Sequence, residues 1–100
     1  MGINYEIKLT ESSKKDLAKL ENSQKQQILK SFVKIEQQGM LAGQKLHGKL
    51  SDCRKLKHKR LGLRVIFRES PIGIEIIEIV VVGKRADSEV YTLAEKRLGR

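Results

Sequence analysis

Aromatic residues are scarce in this chain: two tyrosines, two phenylalanines and no tryptophan in 100 residues, so any core must be built mainly from aliphatic side chains. Cys53 is the single cysteine. An internal disulfide is therefore excluded, which fits a reducing compartment. The longest unbroken apolar run is Ile79 to Val82, far short of the roughly 20 residues that a spanning helix needs. No signal-peptide apolar region is found. Met1-Gly2 carries Glu6 where a myristoylation signal wants Ser or Thr. The expectation is a soluble cytoplasmic protein with no membrane partner. His47 and His58 lack metal-ligand spacing, and no Cys/His cluster exists. A Walker-type phosphate loop and a Ser/His/Asp signature are also missing. Neither a metal nor a cofactor is expected.

What is abundant is positive charge. Lys and Arg number 21 against 12 acidic residues, a formal net charge of +9. Such an excess repels itself in a compact state unless a polyanion or an acidic partner offsets it. Hydrophobic residues at 39% permit a modest core. The length suits one domain covering residues 1–100 and is too short for two.

Tyr5 to Leu9 alternates apolar and charged residues, the pattern of a half-buried strand. Thr10-Glu11-Ser12-Ser13 offers N-cap residues, and Ser13 with Asp16 fits a capping box, opening a short helix that contains Leu17 and Leu20. Asn22 or Ser23 starts a longer helix with an apolar stripe of Ile28, Leu29, Phe32, Val33 and Ile35, closed by Gly39. Gly39 to Gly48 reads as a connection. Period-two segments follow at 54–59, 63–68 and 74–82, separated by Leu61-Gly62 and by Ser70-Pro71-Ile72-Gly73. Such short turns favour antiparallel hairpins. A last short helix spans Tyr91 to Leu98. The order predicts an α+β domain: an N-terminal strand, a helical hairpin, a three-strand antiparallel meander and a short C-terminal helix. Glu75 and Glu78 are an odd number of residues apart, which calls for a bulge or for one of them to lie near a strand end.

Side chains two apart on a strand share a face. Lys55, Lys57 and Lys59 therefore project together, with Leu56 and His58 on the other side. Val65 and Phe67 belong to the core, so Arg64 and Arg68 point away from it. If the two strands pair with core sides aligned, Arg64 joins the lysines. Between Asp52 and Glu69 the run Arg54, Lys55, Lys57, Lys59, Arg60 and Arg64 meets no carboxylate. A charge run is usually a solvated face, but like charges opposed on neighbouring strands are destabilising. That balance favours phosphate binding, because phosphate contacts dominate nucleic-acid affinity. Lys84 and Arg85 lie just past the third strand of the meander, beyond Gly83, and Tyr91 begins the last helix.

The ordered segments Lys45-Leu46-His47-Gly48, Asp52-Cys53-Arg54-Lys55-Leu56-Lys57, Gly62-Leu63-Arg64-Val65-Ile66-Phe67, Val82-Gly83-Lys84-Arg85 and Ser88-Glu89-Val90-Tyr91 resemble those of the RelE toxins in the RelE/ParE superfamily. The resemblance covers nearly the whole chain. It implies a microbial-ribonuclease-like sheet and a toxin of a type II toxin–antitoxin module that cuts messenger RNA in the ribosomal A site. Carried over by motif, the catalytic set is Lys55, Lys57, Arg64, Arg85 and Tyr91, with Lys59, Arg60, Arg68 and Lys84 as further RNA contacts. Tyr91 or the lysine pair would move protons, and Arg64 and Arg85 would clamp the phosphate. Leu63 stands where relatives often carry an aromatic. Implied partners are ribosomal RNA, a cognate antitoxin with an acidic wrapping segment, and operator DNA for the toxin–antitoxin complex. A ParE-like gyrase inhibitor on the same fold is the alternative reading, and a non-catalytic RNA-binding module is a third. The full Lys, Arg, Arg, Tyr set argues for the nuclease.

Overall fold

The computed structural model describes residues 4–84 and 86–100, with all their side chains except those of Ile74 and Asp87. Strand β1 (Glu6–Leu9) leads into helices α1 (Glu11–Ala18) and α2 (Asn22–Gln38). A 3₁₀ turn at Gly39–Ala42, the two-residue strand β2 (Gln44–Lys45) and a second 3₁₀ turn at Gly48–Leu50 follow. The chain then runs through β3 (Cys53–His58), β4 (Leu63–Ser70), β5 (Gly73–Gly83) and helix α3 (Asp87–Arg97). The strands form one sheet in the order β1-β5-β4-β3-β2. β1 lies parallel to β5, and the other pairs are antiparallel.

The sheet is covered on both faces. On one, Ile28, Phe32 and Ile35 of α2 pack against Val65, Phe67 and Ile77. On the other, Val90 and Ala94 of α3 meet Cys53, Ile66 and Val80. Only part of the predicted α2 stripe is buried: Leu29 and Val33 remain 51% and 50% exposed. They stand at the edge of an arc that the sheet is too narrow to cover.

The expected α+β layout is present with one strand more than predicted. β2 lies inside the segment read as a connection. Two exposed polar residues carry no period-two signal, and they become a strand only because the edge of β3 offers partners at Lys55 and Arg54. The cap of α1 is Thr10, the first of the offered residues, and not the Ser13–Asp16 box: its hydroxyl accepts the Ser13 N–H at 3.0 Å. Asp16 is thereby released for another contact. α3 begins at Asp87, four positions before the expected Tyr91, so Tyr91 sits in its second turn. The Glu75–Glu78 parity is resolved by the register shift in the β4–β5 ladder between Glu69 and Ser70; a second shift, between Ile66 and Phe67, falls farther along at Val80. Glu75 lies within the irregular hairpin end, while Glu78 stands opposite Arg68.

Candidate active site

In the β3–β4 register Lys57 stands opposite Arg64 and Lys55 opposite Ile66. Ile66 belongs to the core beneath α3, so Lys55, Lys57 and Arg64 all rise from the α3 face. The core sides of the two strands are thus aligned, as the period-two reading required. Cross-strand neighbours at this spacing have Cβ atoms about 5 Å apart. Lys57 and Arg64 accordingly form a like-charge pair whose repulsion an anion would relieve. On its other side Arg64 faces Gly83, which contributes only backbone there. The guanidinium of Arg64 is steadied by donating from Nη1 to the Gly62 carbonyl at 2.9 Å, within the turn that Gly62 makes at φ +67°.

Tyr91 reaches this face from α3. Its neighbours Val90 and Ala94 anchor the helix in the core, which turns Tyr91 toward β3. Lys55 Nζ donates to Tyr91 Oη at 2.9 Å and lies 5.5 Å from the ring centroid. A charge-assisted hydrogen bond of this length holds both groups in register. Beside the pair opens a cavity of about 340 Å³ bordered by Gln44, His47, Leu50, Lys55, Tyr91 and Glu95. Gln44, His47 and Glu95 had not been singled out as site residues. Gln44 lies on β2, which carries no signal of its own in the sequence, whereas Glu95 lies within the expected last helix, Tyr91 to Leu98.

The remaining candidates divide. Lys57, Lys59 and Arg60 are exposed along the end of β3 and the turn after it, and Lys84 is exposed after β5. Arg68 shares the α3 face but is neutralised: its Nε donates to Glu78 Oε1 at 3.1 Å, with both side chains largely covered. The charge argument for an RNA contact at Arg68 is therefore lost. Arg85 lies outside the described residues. Arg54 turns to the opposite face and donates to the Gly43 carbonyl at 3.2 Å. His58 also lies on the opposite face, against Ser31 of α2. Burial, and to a lesser degree Lys34, pushes its pKa down. This is a packing role, as expected. Cys53 is fully buried, and burial together with Asp52 raises its thiol to about 11. It is not a nucleophile in this state. Among the described residues no group of three or more His, Cys, Asp or Glu side chains could hold a metal ion. No described helix is long and apolar enough to cross a membrane.

The arrangement joins cations suited to a phosphate with one phenol suited to proton transfer or base stacking. No family model matches the chain. It is 33% identical over 96 residues to a RelE-like toxin protein of Escherichia coli, covering 96% of this chain and 99% of the relative. It is 30% identical over 94 residues to the mRNA interferase toxin RelE of Escherichia coli strain K12, covering 94% and 97%. Among solved structures, a double arginine-to-alanine mutant of Escherichia coli RelE in the free state superposes with a TM-score of 0.79 at 28% identity, covering 95% of this chain and 98% of that one. The same mutant in complex with an antitoxin RelB peptide gives 0.73 at 27% identity, covering 91% and 94%.

Proposed function

Because this chain belongs to the RelE family of toxins, we propose that it is the toxin of a type II toxin–antitoxin module and an endoribonuclease that cuts messenger RNA in the ribosomal A site. What supports a nuclease at this site is the Lys55–Tyr91 contact on a face shared with Lys57 and Arg64. The chemistry is an internal transesterification. The 2′-oxygen forms a bond to the adjacent phosphorus and the bond from phosphorus to the 5′-oxygen breaks, leaving a 2′,3′-cyclic phosphate. The 2′-hydroxyl gives up its proton, and the departing 5′-oxygen gains one. Lys55 and Tyr91, joined by a hydrogen bond, would take or deliver such a proton. Lys57 and Arg64, with Arg85 assigned by motif, stabilise the charge that builds on the phosphorane oxygens. The planar fork of arginine suits two oxygens at once. All of these roles are filled by protein cations and a phenol.

The same reading supplies partners. The exposed cations Lys59, Arg60 and Lys84 would meet the RNA backbone of the message and the ribosome. An antitoxin segment bearing carboxylates would cover this face when the toxin is held inactive, and the combined complex would meet operator DNA. One toxin domain over residues 1–100, working in the cytoplasm, completes the proposal.

Induction of the chain in cells, followed by mapping of 5′ ends on a reporter message, tests it. Codon-phased cuts are expected. In a reconstituted ribosome assay Tyr91→Phe and Lys55→Met should each slow cutting by a factor on the order of 10² or more. Arg85→Ala should do likewise. Intact messages together with gyrase-linked DNA breaks would replace this reading with the ParE-like one.

A further inference from the structure

β1 stops pairing with β5 at Leu9, opposite Ile79, and its last contact is the Thr10 N–H to the Ile79 carbonyl at 3.4 Å. β5 continues to Gly83, so its edge on the β1 side has no strand beside it beyond that point. The register shift between Ile66 and Phe67 sets Val81 opposite Ile66 and Ile79 opposite Phe67, with Val80 extra. The bared edge thus presents the Val80 carbonyl and the Val82 N–H. Both are taken up by one ion pair drawn from distant parts of the chain. Asp16 Oδ2 of α1 accepts the Val82 N–H at 3.1 Å. Arg97 Nη1 of α3 donates to the Val80 carbonyl at 2.9 Å and to Asp16 Oδ2 at 2.6 Å, and its Nη2 donates to Asp16 Oδ1 at 3.0 Å. Both side chains are largely covered, 20% exposed for Arg97 and 14% for Asp16.

We propose that Asp16 and Arg97 form a lock that positions Tyr91 and the end of β5 for the reaction, making both of them positioning residues. The inference rests on the nuclease reading given above. Two lines of geometry carry it. Arg97 lies six positions beyond Tyr91 on one rigid helix, about 9 Å along its axis. The helix has a small apolar footing: among the described residues only Val90 and Ala94 are fully buried, with Tyr91, Leu93 and Leu98 packed at the margin. A helix seated on a valine and an alanine can rock about them, and a two-pronged contact at its far end stops that motion. The second tether, Arg100 to Asp52 and to the Lys49 carbonyl, runs to the residues just before β3, and its carboxylate is 48% exposed. The other line runs through β5. Val82, held by Asp16, directly precedes Gly83, which faces Arg64, and the chain continues to Lys84 and Arg85. One carboxylate outside the cationic face therefore ties together the helix that carries Tyr91 and the end of β5 that faces Arg64.

A double-mutant cycle tests this in the full-length protein with ribosomes and message. Asp16→Asn keeps the shape of the side chain and loses its charge. It should lower kcat by a factor on the order of 10 to 100, since small misplacements of reacting groups have effects of that size, with KM for programmed ribosomes unchanged. In a Tyr91→Phe background the same change should cost clearly less, because one of the two groups it positions has gone and only the part carried through the end of β5 remains. A full additive loss in that background, or an unchanged kcat, would overturn the proposal. If Asp16→Asn does not fold, judged by its thermal melt, Arg97→Lys replaces it with the same expectation, since it keeps the charge and loses the two-pronged contact. A readout independent of activity separates the lock from the nuclease reading. Nuclear Overhauser contacts between the Tyr91 ring and the Lys55 ε-methylene should be present in the unmodified protein and weakened in Asp16→Asn. If the unmodified protein cuts no message, the nuclease reading fails, and retention of these contacts at full strength in the variant would overturn the lock by itself.

Discussion

Gly39 and Gly48 both adopt positive φ, +61° and +64°, yet they are held to glycine for different reasons. At Gly39, where α2 ends, an added Cβ would lie 2.6 Å from two ring atoms of Tyr5. At Gly48 nothing lies within 4 Å of that position. Backbone strain alone costs a side chain about 1–3 kcal/mol at such angles. Gly48→Ala should lose about that amount in a urea titration, and Gly39→Ala should lose more because Tyr5 must also move. Equal losses would mean that Tyr5 yields freely. At the same scale, Tyr91 shows how far a residue type carries. The sequence alone makes a lone tyrosine near the C-terminus most naturally a packing residue. The 2.9 Å contact with Lys55 is what draws it to the cationic face.

The elements account for what the period-two and helical patterns could and could not predict. β3 alternates because Lys55 and Lys57 stand on a partly open face, while β4 and β5, covered on both faces over much of their length, read as apolar runs bounded by turns. β2 was not legible, because two exposed polar residues are recruited by a neighbour's edge rather than by their own pattern. The start of α3 is harder to read because Val90 is the single apolar residue of its first turn, too little to show a helical period, whereas α2 carries a long apolar stripe. His58 links α2 to β3 and makes their packing sensitive to pH. Its pKa is held below the ordinary 6.5, first by burial and then by Lys34. The unfolded imidazole therefore takes up its proton at a higher pH than the folded one. The associated stability is present above about pH 6.5 and is lost as pH falls through that value. The Tm should drop between about pH 7.5 and 5.5, and His58→Gln should flatten that part of the profile, as followed by circular dichroism. Asp52 does not interfere in this window. Arg100 holds its carboxyl down to about 2, so its contribution is present above about pH 4 and fades only as pH falls from there.

For the molecule as a whole, a net charge of +9 is the property most exposed to salt. Each phosphate neutralised on single-stranded RNA contributes about 0.7 to the slope of log affinity against log salt. Binding of a short RNA to the Tyr91→Phe protein, followed by fluorescence anisotropy across a salt series, should show this dependence. Lys59→Gln should reduce the slope by roughly 0.7. Arg68→Gln should leave it unchanged, because Glu78 already neutralises that guanidinium. A reduced slope for Arg68→Gln would restore it to the RNA-binding surface.

Composition and periodicity by themselves determined that this chain carries a large positive charge, that it is an α+β protein, and that Lys55 and Lys57 share a face. Charge and side-chain alternation are local properties, readable without knowing what lies across the sheet. Ordered motifs added the family and its candidate residues. Tertiary structure alone decided the rest. Register set Lys57 opposite Arg64, and Glu78 withdrew Arg68 from the cationic set. The docking of α3 brought Tyr91 to Lys55, 36 residues away in sequence. Asp16 read as a capping residue until Thr10 took the cap, and it became a lock because β1 ends four residues before β5 does. Contacts of this kind depend on where elements stop and which edges they leave bare, and neither is encoded in the periodicity of any one segment.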